Sequence, residues 1–209
     1  MKGPTMTRLT KLLLTLGLIA GALQAQTSVS GQALGAAVST PTTNVQSGQV
    51  ALPSGGGFAA ADVDTLSLPG VSVDALTTMT TGAIDLQAST AQSTAHLENV
   101  NVLNGLITAE TVIAATSSWV NGVAGSNALG SSFTNLTVNG APVASGDYLP
   151  APNTRVDLPG VGYAVLNEQI GSGASGITVN MIHVVLQDAL TGLTTGEIIV
   201  GSASSSAGI

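Results

Sequence analysis

The chain has 209 residues, 44% hydrophobic and only 7% charged, with 4 Lys and Arg, 11 Asp and Glu, and no cysteine. An ordinary soluble domain carries roughly 25% charged residues, so this composition points away from a cytoplasmic protein. The lack of cysteine excludes disulfides, thiolate metal sites, cysteine nucleophiles and a lipid-modified N-terminal cysteine, and the scarcity of Lys and Arg argues against nucleic acid and anionic membranes as partners.

Residues 1–25 read as a secretory signal peptide. Lys2, Arg8 and Lys11 precede an apolar run over residues 12–23, and small residues follow at Ala22 and Ala25. A run of about a dozen apolar residues is too short for a membrane span, which takes about 20. Cleavage is expected after Ala25, with Ala20-Gly21-Ala22 as the alternative site. It would leave Arg155 alone against all 11 acidic residues, so the exported chain is acidic. Its acids are scattered, which makes a diffuse field rather than an acidic tail.

Residues 26–57 are rich in Gly, Ser, Thr, Gln and Ala, with Pro41, Pro53 and the run Gly55-Gly56-Gly57. Val29 and residues 34–38 suit an edge strand, and the rest of this stretch reads as linker. Residues 58–209 read as one β-sandwich domain. Within it, Val63, Leu66, Leu68, Val71, Val73 and Leu76 surround Pro69-Gly70, which predicts two short strands joined at a turn. Residues 82–89 alternate and predict another strand. The longest apolar pattern, residues 97–115, is the organising element. Asn104-Gly105 is a strong hairpin signal between its halves, and the period-two alternation after it places Ile107, Ala109, Thr111, Ile113 and Ala115 on the inward face.

Residues 117–132 predict a loop, and residues 133–140 a strand ending in a second Asn-Gly turn, with Pro142 suited to a strand edge or start. Val156 and Leu158 lead through Pro159-Gly160 into a strand reaching Leu166. Residues 177–186 predict a strand in the middle of the sandwich, apolar on both faces toward its end. A loop over residues 189–196, a closing strand over 197–203 and a short polar tail complete the chain. Leu68-Pro69-Gly70-Val71 is echoed by Leu158-Pro159-Gly160-Val161, which suggests two similar sandwich halves or a chance repeat of a common turn. The fold class is therefore all-β: a two-sheet, mainly antiparallel β-sandwich of about 8 to 12 strands.

Few residues suggest chemistry. His96 and His183 fall within predicted strands and read as packed or edge histidines, because no spacing supplies the orienting partner that a general base needs. No Gly-x-Ser-x-Gly elbow is present, so the chain reads as non-enzymatic. Asp62, Asp64 and Asp74 are the candidate metal ligands, since calcium takes carboxylate and carbonyl oxygens, although no EF-hand pattern organises them. Calcium is thus the one cofactor considered. Asn167-Glu168 offers the same oxygen chemistry. Trp119 is the candidate contact residue for a polysaccharide, set against a role in covering the core. Asn135-Leu136-Thr137 is a formal glycosylation sequon.

The order Glu98-Asn99-Val100, Gly105-Leu106-Ile107-Thr108-Ala109, Phe133, Asn135-Leu136-Thr137-Val138-Asn139-Gly140, Pro152-Asn153-Thr154, Leu158-Pro159-Gly160 and Val165-Leu166-Asn167-Glu168-Gln169 resembles the bacterial secreted family called choice-of-anchor P. The resemblance implies an exported surface or extracellular protein of undefined activity, whose relatives are held by varied C-terminal anchoring signals. It supplies no catalytic residues. No apolar span or basic stop is seen near residue 209, so release into the medium or assembly with a partner stands level with covalent attachment as an expectation. The favoured expectation is a non-enzymatic secreted or cell-surface structural or adhesive protein, pairing with itself or with other surface and matrix proteins. In that reading an unpaired strand over residues 26–38 extends a neighbour's sheet to give filaments. The alternative is an extracellular calcium- or polysaccharide-binding module using Trp119 and residues 62–74, and ice binding ranks third because no regular Thr-x-Thr ladder is present. No nucleic acid and, after signal cleavage, no membrane partner are expected.

Overall fold

The structure is a computed structural model describing residues 27–85, 87–143, 145–173 and 175–208; the expected signal peptide lies outside them. In chain order the strands are β1 (Ser28–Thr40), β2 (Thr43–Ser47), β3 (Val50–Ala51), β4 (Gly57–Val63), β5 (Leu66–Leu68), β6 (Val71–Val73), β7 (Ala75–Ile84), β8 (Ala88–Val102), β9 (Ile107–Asn121), β10 (Val123–Asn127), β11 (Ser132–Thr134), β12 (Thr137–Val138), β13 (Ala141–Pro142), β14 (Asp147–Tyr148), β15 (Thr154–Leu158), β16 (Gly162–Gly173), β17 (Gly176–Gln187) and β18 (Thr194–Gly208).

They form two antiparallel sheets. The first has seven strands in the order β15-β16-β17-β18-β1-β2, with β3 sharing the β1 edge. The second has eleven strands around β8 and β9, with β6 and β7 dividing one flank of β8 and β10, β11 and β12 dividing the far flank of β9. Short strands sharing the length of a long one raise the strand number above the sequence expectation. The sheets lie face to face, β18 and β1 over β7, β8 and β9, around one continuous core. This is the expected all-β sandwich.

The central hairpin forms as predicted. β8 and β9 pair from Ala88↔Asn121 to Val102↔Ile107. Asn104 and Gly105 adopt the left-handed backbone, with φ of 54° and 89°, that such a turn requires. The Pro69-Gly70 and Pro159-Gly160 turns join β5 to β6 and β15 to β16, one in each sheet.

The inward face of β9 corrects the sequence reading. Ile107 and Ala109 are buried, but beyond them the buried residues are Val112, Ala114, Thr116, Ser118 and Val120. Thr111, Ile113 and Ala115 turn outward. The cause is a line of irregularity crossing the whole sandwich, along which strands spend three residues instead of two between inward side chains. The buried pairs are Val73 and Leu76, Leu97 and Val100, Ala109 and Val112, and Phe133 and Leu136 in the larger sheet. In the smaller sheet they are Ala33 and Ala36, Val179 and Ile182, and Val200 and Ala203. Cross-strand register aligns them, as in Leu76↔Leu97↔Val112↔Phe133 and Ala33↔Ala203↔Val179. An extra residue moves all later side chains to the opposite face, and since every neighbour makes the same step, the core stays continuous.

Other segments also differ from expectation. β1 is not an edge strand beside a linker: it is hydrogen-bonded to β18 on one side and to β2 and β3 on the other, so it is already spent within its own sheet. Residues 82–89 hold the end of β7 and the start of β8. The expected loop at 117–132 contains the end of β9 and all of β10. The polar tail is the end of β18, with Ser205 and Ala207 buried opposite Gly31 and Val29 of β1.

Candidate functional site

The line of irregularity also gathers the charged chemistry. Its intervening residues must face water and tolerate a bent backbone, which favours Asp, Asn, Glu and Gly. In the larger sheet these include Asp74, Glu98, Asn99, Glu110 and Asn135, all exposed, with φ of 52° at both Asn99 and Asn135. Asn99 Nδ2 donates to Asp74 Oδ2 at 3.1 Å. Asn135 Nδ2 donates to Glu110 Oε2 at 2.5 Å, and Asn135 Oδ1 accepts the N–H of Gly146 at 2.9 Å. The result is a seam of amide–carboxylate pairs across the outer face.

A matching seam crosses the smaller sheet. Ser202 Oγ donates to Asn180 Oδ1 at 2.7 Å, and Asn180 Nδ2 donates to Glu168 Oε2 at 2.7 Å. His183 Nδ1 lies 3.0 and 3.1 Å from the two oxygens of the same carboxylate, and its Nε2 lies 3.7 Å from Glu197 Oε2. Neighbouring strands β16, β17 and β18 are thereby linked through side chains on their outer faces. Glu168 is the orienting partner that sequence reading missed: fifteen residues separate it from His183, and only the β16–β17 hairpin register brings them together. A carboxylate on Nδ1 is the arrangement that orients a catalytic imidazole. Here, however, Nε2 is buried and makes no hydrogen bond, so it presents no face to a substrate, and the group joins strands.

The candidate calcium ligands are not brought to one point. Asp62, on the outer face of β4, accepts a 2.7 Å hydrogen bond from Thr77 Oγ1. Asp64 follows β4 as an exposed residue before β5, and Asp74 is taken by Asn99 on the seam. Among the described residues no three His, Cys, Asp or Glu side chains converge to hold a metal ion. Asp62 and Asp74 are instead each held by a separate side-chain hydrogen bond.

Trp119 is not in the core. It points outward from β9, 36% exposed, with its indole against the Cα of Gly125 on β10, where a Cβ would overlap the ring. Gly125 is the residue directly across the ladder from it, so the missing side chain makes the seat for the ring. His96 faces outward on β8, opposite Thr77 and Ile113. Arg155, the only cation among the described residues, is exposed, paired with Asp157 at 3.1 Å and stacked over Tyr163 at 3.8 Å.

In comparisons with known proteins, no family model, no curated protein and no solved structure matches this chain.

Proposed function

We propose that the chain is an exported, non-enzymatic structural or adhesive protein of a bacterial surface or its extracellular matrix, assembling with itself or with other surface proteins through its sheets. The observation that carries this reading is the character of the two outer faces. Ser28, Ser30, Thr178, Ser202, Ser204 and Ser206 line one, and Thr77, Thr81, Thr90, Thr94 and Ser117 line the other. These are broad, hydroxyl-bearing surfaces of few charges, several of whose carboxylates are engaged by amides and hydroxyls, and such surfaces suit contact between extended faces and edges. The basic, apolar and small-residue order of residues 1–25 supports export, and the resemblance to the choice-of-anchor P family supports a bacterial surface setting.

The test is fractionation of a bacterial culture producing the full chain. The expected result is protein in the medium or at the cell surface whose first residue is Gln26. Protein retained in the cytoplasm with residues 1–25 intact would overturn the reading.

A further inference from the structure

Assembly through sheets requires an edge that is open, and the edges of this sandwich are not alike. β15 is bracketed by Pro152 and Pro159 and carries the Arg155–Asp157 pair on its outer face. β13 contains Pro142, and β14 is two residues long. Charge, proline and shortness are the usual means of blunting an edge. β4 has no proline and is longer than β2 and β10, five-residue edge strands that also lack proline and charge. It is seven residues long, Gly57–Val63, contains no proline, and carries one charge, Asp62. It pairs with β7 through all seven residues and, among the described residues, with no other strand, so the N–H and C=O groups of alternate residues on its other side have no ladder partner among them. The surface beside it is apolar. Phe58 is 65% exposed and Met79 42% exposed, and because Ala60 sits opposite Met79 and Phe58 opposite Thr81, Phe58 and Met79 are diagonal neighbours on one face.

We infer that β4 is the assembly edge and that its occupant is the β4 strand of a second copy, paired antiparallel about a two-fold axis at Ala60. This rests on the assembling role proposed above and names the edge that performs it. The argument for a second copy is the self-complementarity of the strand. Pairing centred on Ala60 sets Ala59 opposite Ala61 of the other copy, Ala60 opposite Ala60, and Phe58 opposite Asp62. Phe58, Ala60 and Asp62 stay on the outer faces of both copies, and Ala59, Ala61 and Val63 on the inner faces, so the two sandwiches continue one another. The single charge meets a ring edge and no like charge. The two Asp62 carboxylates lie four residues apart along the ladder, about 13 Å at the usual strand rise, beyond the roughly 10 Å over which charges act at 0.1 M salt. On the outer face the row becomes Met79, Ala60, Ala60, Met79, with a Phe58 on either side. The exposed apolar groups of each copy are thus doubled into one covered patch. An isologous contact of this kind closes on itself as a dimer.

The experiment is light scattering during size-exclusion chromatography of the exported chain, native and substituted at the exposed Ala60. The native protein should run at twice the chain mass. Ala60→Lys and Ala60→Asp each place like charges opposite themselves on the axis, and each alone should halve the mass while circular dichroism shows the native sheet content. Mixed in equal amounts, they should regain the doubled mass, because lysine then faces aspartate. A native monomer, a native species larger than two copies, an Ala60→Lys protein that is still dimeric, or a mixture that stays monomeric would each overturn the inference. Export, read separately by fractionation, tests the broader role without bearing on this mass.

Discussion

Asn99 shows how much of this fold depends on single backbone conformations. It is exposed, buries nothing, and sits at φ 52° between the inward-facing Leu97 and Val100. An ordinary L-residue in that region costs roughly 1–2 kcal/mol, and asparagine is among the few that tolerate it. Asn99→Ala should therefore destabilise the protein by about 1–2 kcal/mol, through the backbone and through loss of the bond to Asp74. Asn99→Gly, which keeps the backbone freedom, should cost visibly less. Urea unfolding checks this: a lowered midpoint with unchanged slope is expected for alanine, and equal losses for alanine and glycine would show that the side-chain bond, not the backbone, dominates. The signal for this line was in the sequence. Val73-Asp-Ala-Leu76, Leu97-Glu-Asn-Val100, Ala109-Glu-Thr-Val112 and Phe133-Thr-Asn-Leu136 share one spacing. Read as acids, Asp64 and Asp74 suggest calcium; read with their neighbours, they fall between Val63 and Leu66 and between Val73 and Leu76, apolar pairs of the same spacing at breaks between strands. Period-two counting cannot see this, because it assumes an unbroken pleat.

At the scale of elements, strand identity was legible where β-branched residues and Asn-Gly or Pro-Gly turns coincide, as in the facing ends of β8 and β9 and in β16, and where the apolar run is dense, as in β17. It was obscured in β1, β10 and the end of β18, where Ser, Gly and Ala resemble linker. Those segments are strands because of their partners: the small residues of β18 at 202–206 pair with β1 and β17 on both sides. The His183–Glu168 contact was hidden for the same reason, being a property of register. One connection has its own electrostatics. Between β17 and β18, Asp188 Oδ1 accepts from the N–H and the hydroxyl of Thr191, both at 2.8 Å, and from the N–H of Leu190 at 3.1 Å. Chiefly the Thr191 N–H, then its hydroxyl and the Leu190 N–H, hold the Asp188 carboxyl below its usual value of 3.8. A depressed folded-state value means the turn is favoured above 3.8 and released only as pH falls through the lower folded value. The amide shift of Thr191, followed by NMR from pH 6 downward, should titrate with a midpoint below 3.8, and Asp188→Asn should flatten it. A midpoint at or above that value would mean the turn does not hold the ionised carboxylate in solution.

Across the whole molecule, the sandwich is filled in two different ways. Around the Asn104-Gly105 end, Leu66, Leu97, Ile107, Phe133, Leu136, Leu166 and Ile198 fill the space between the sheets. Toward the other end the interior is mostly small or hydroxyl-bearing, with Gly31, Thr80, Ala91, Ser93, Thr116, Ser118, Ser205 and Ala207 beside Val29 and Leu52. With only 2% aromatics in the chain, this second half must bring its sheets close together, and apart from the buried, unbonded Oγ1 of Thr116 its hydroxyls find partners within it. Thr80 Oγ1 donates to Gln92 O at 3.0 Å and contacts Ser93 Oγ at 2.9 Å, while Ser118 Oγ crosses between sheets to Ser205 O at 2.9 Å. The closest approach is at Gly31 of β1, where a Cβ would overlap Thr80 Oγ1 and come within 2.8 Å of Ser93 Oγ. Gly31→Ala should thus overpack the interface and cost about 1–3 kcal/mol. Thr80→Ala alone should cost about 1 kcal/mol for its lost hydrogen bonds. Combined, they should cost less than their sum, because removing the Thr80 hydroxyl makes room for the new methyl group. A denaturation cycle over the four proteins reads this coupling directly. Strict additivity would show that the sheets part to admit the methyl group wherever it is placed, and that the small residues of this half do not fix the spacing.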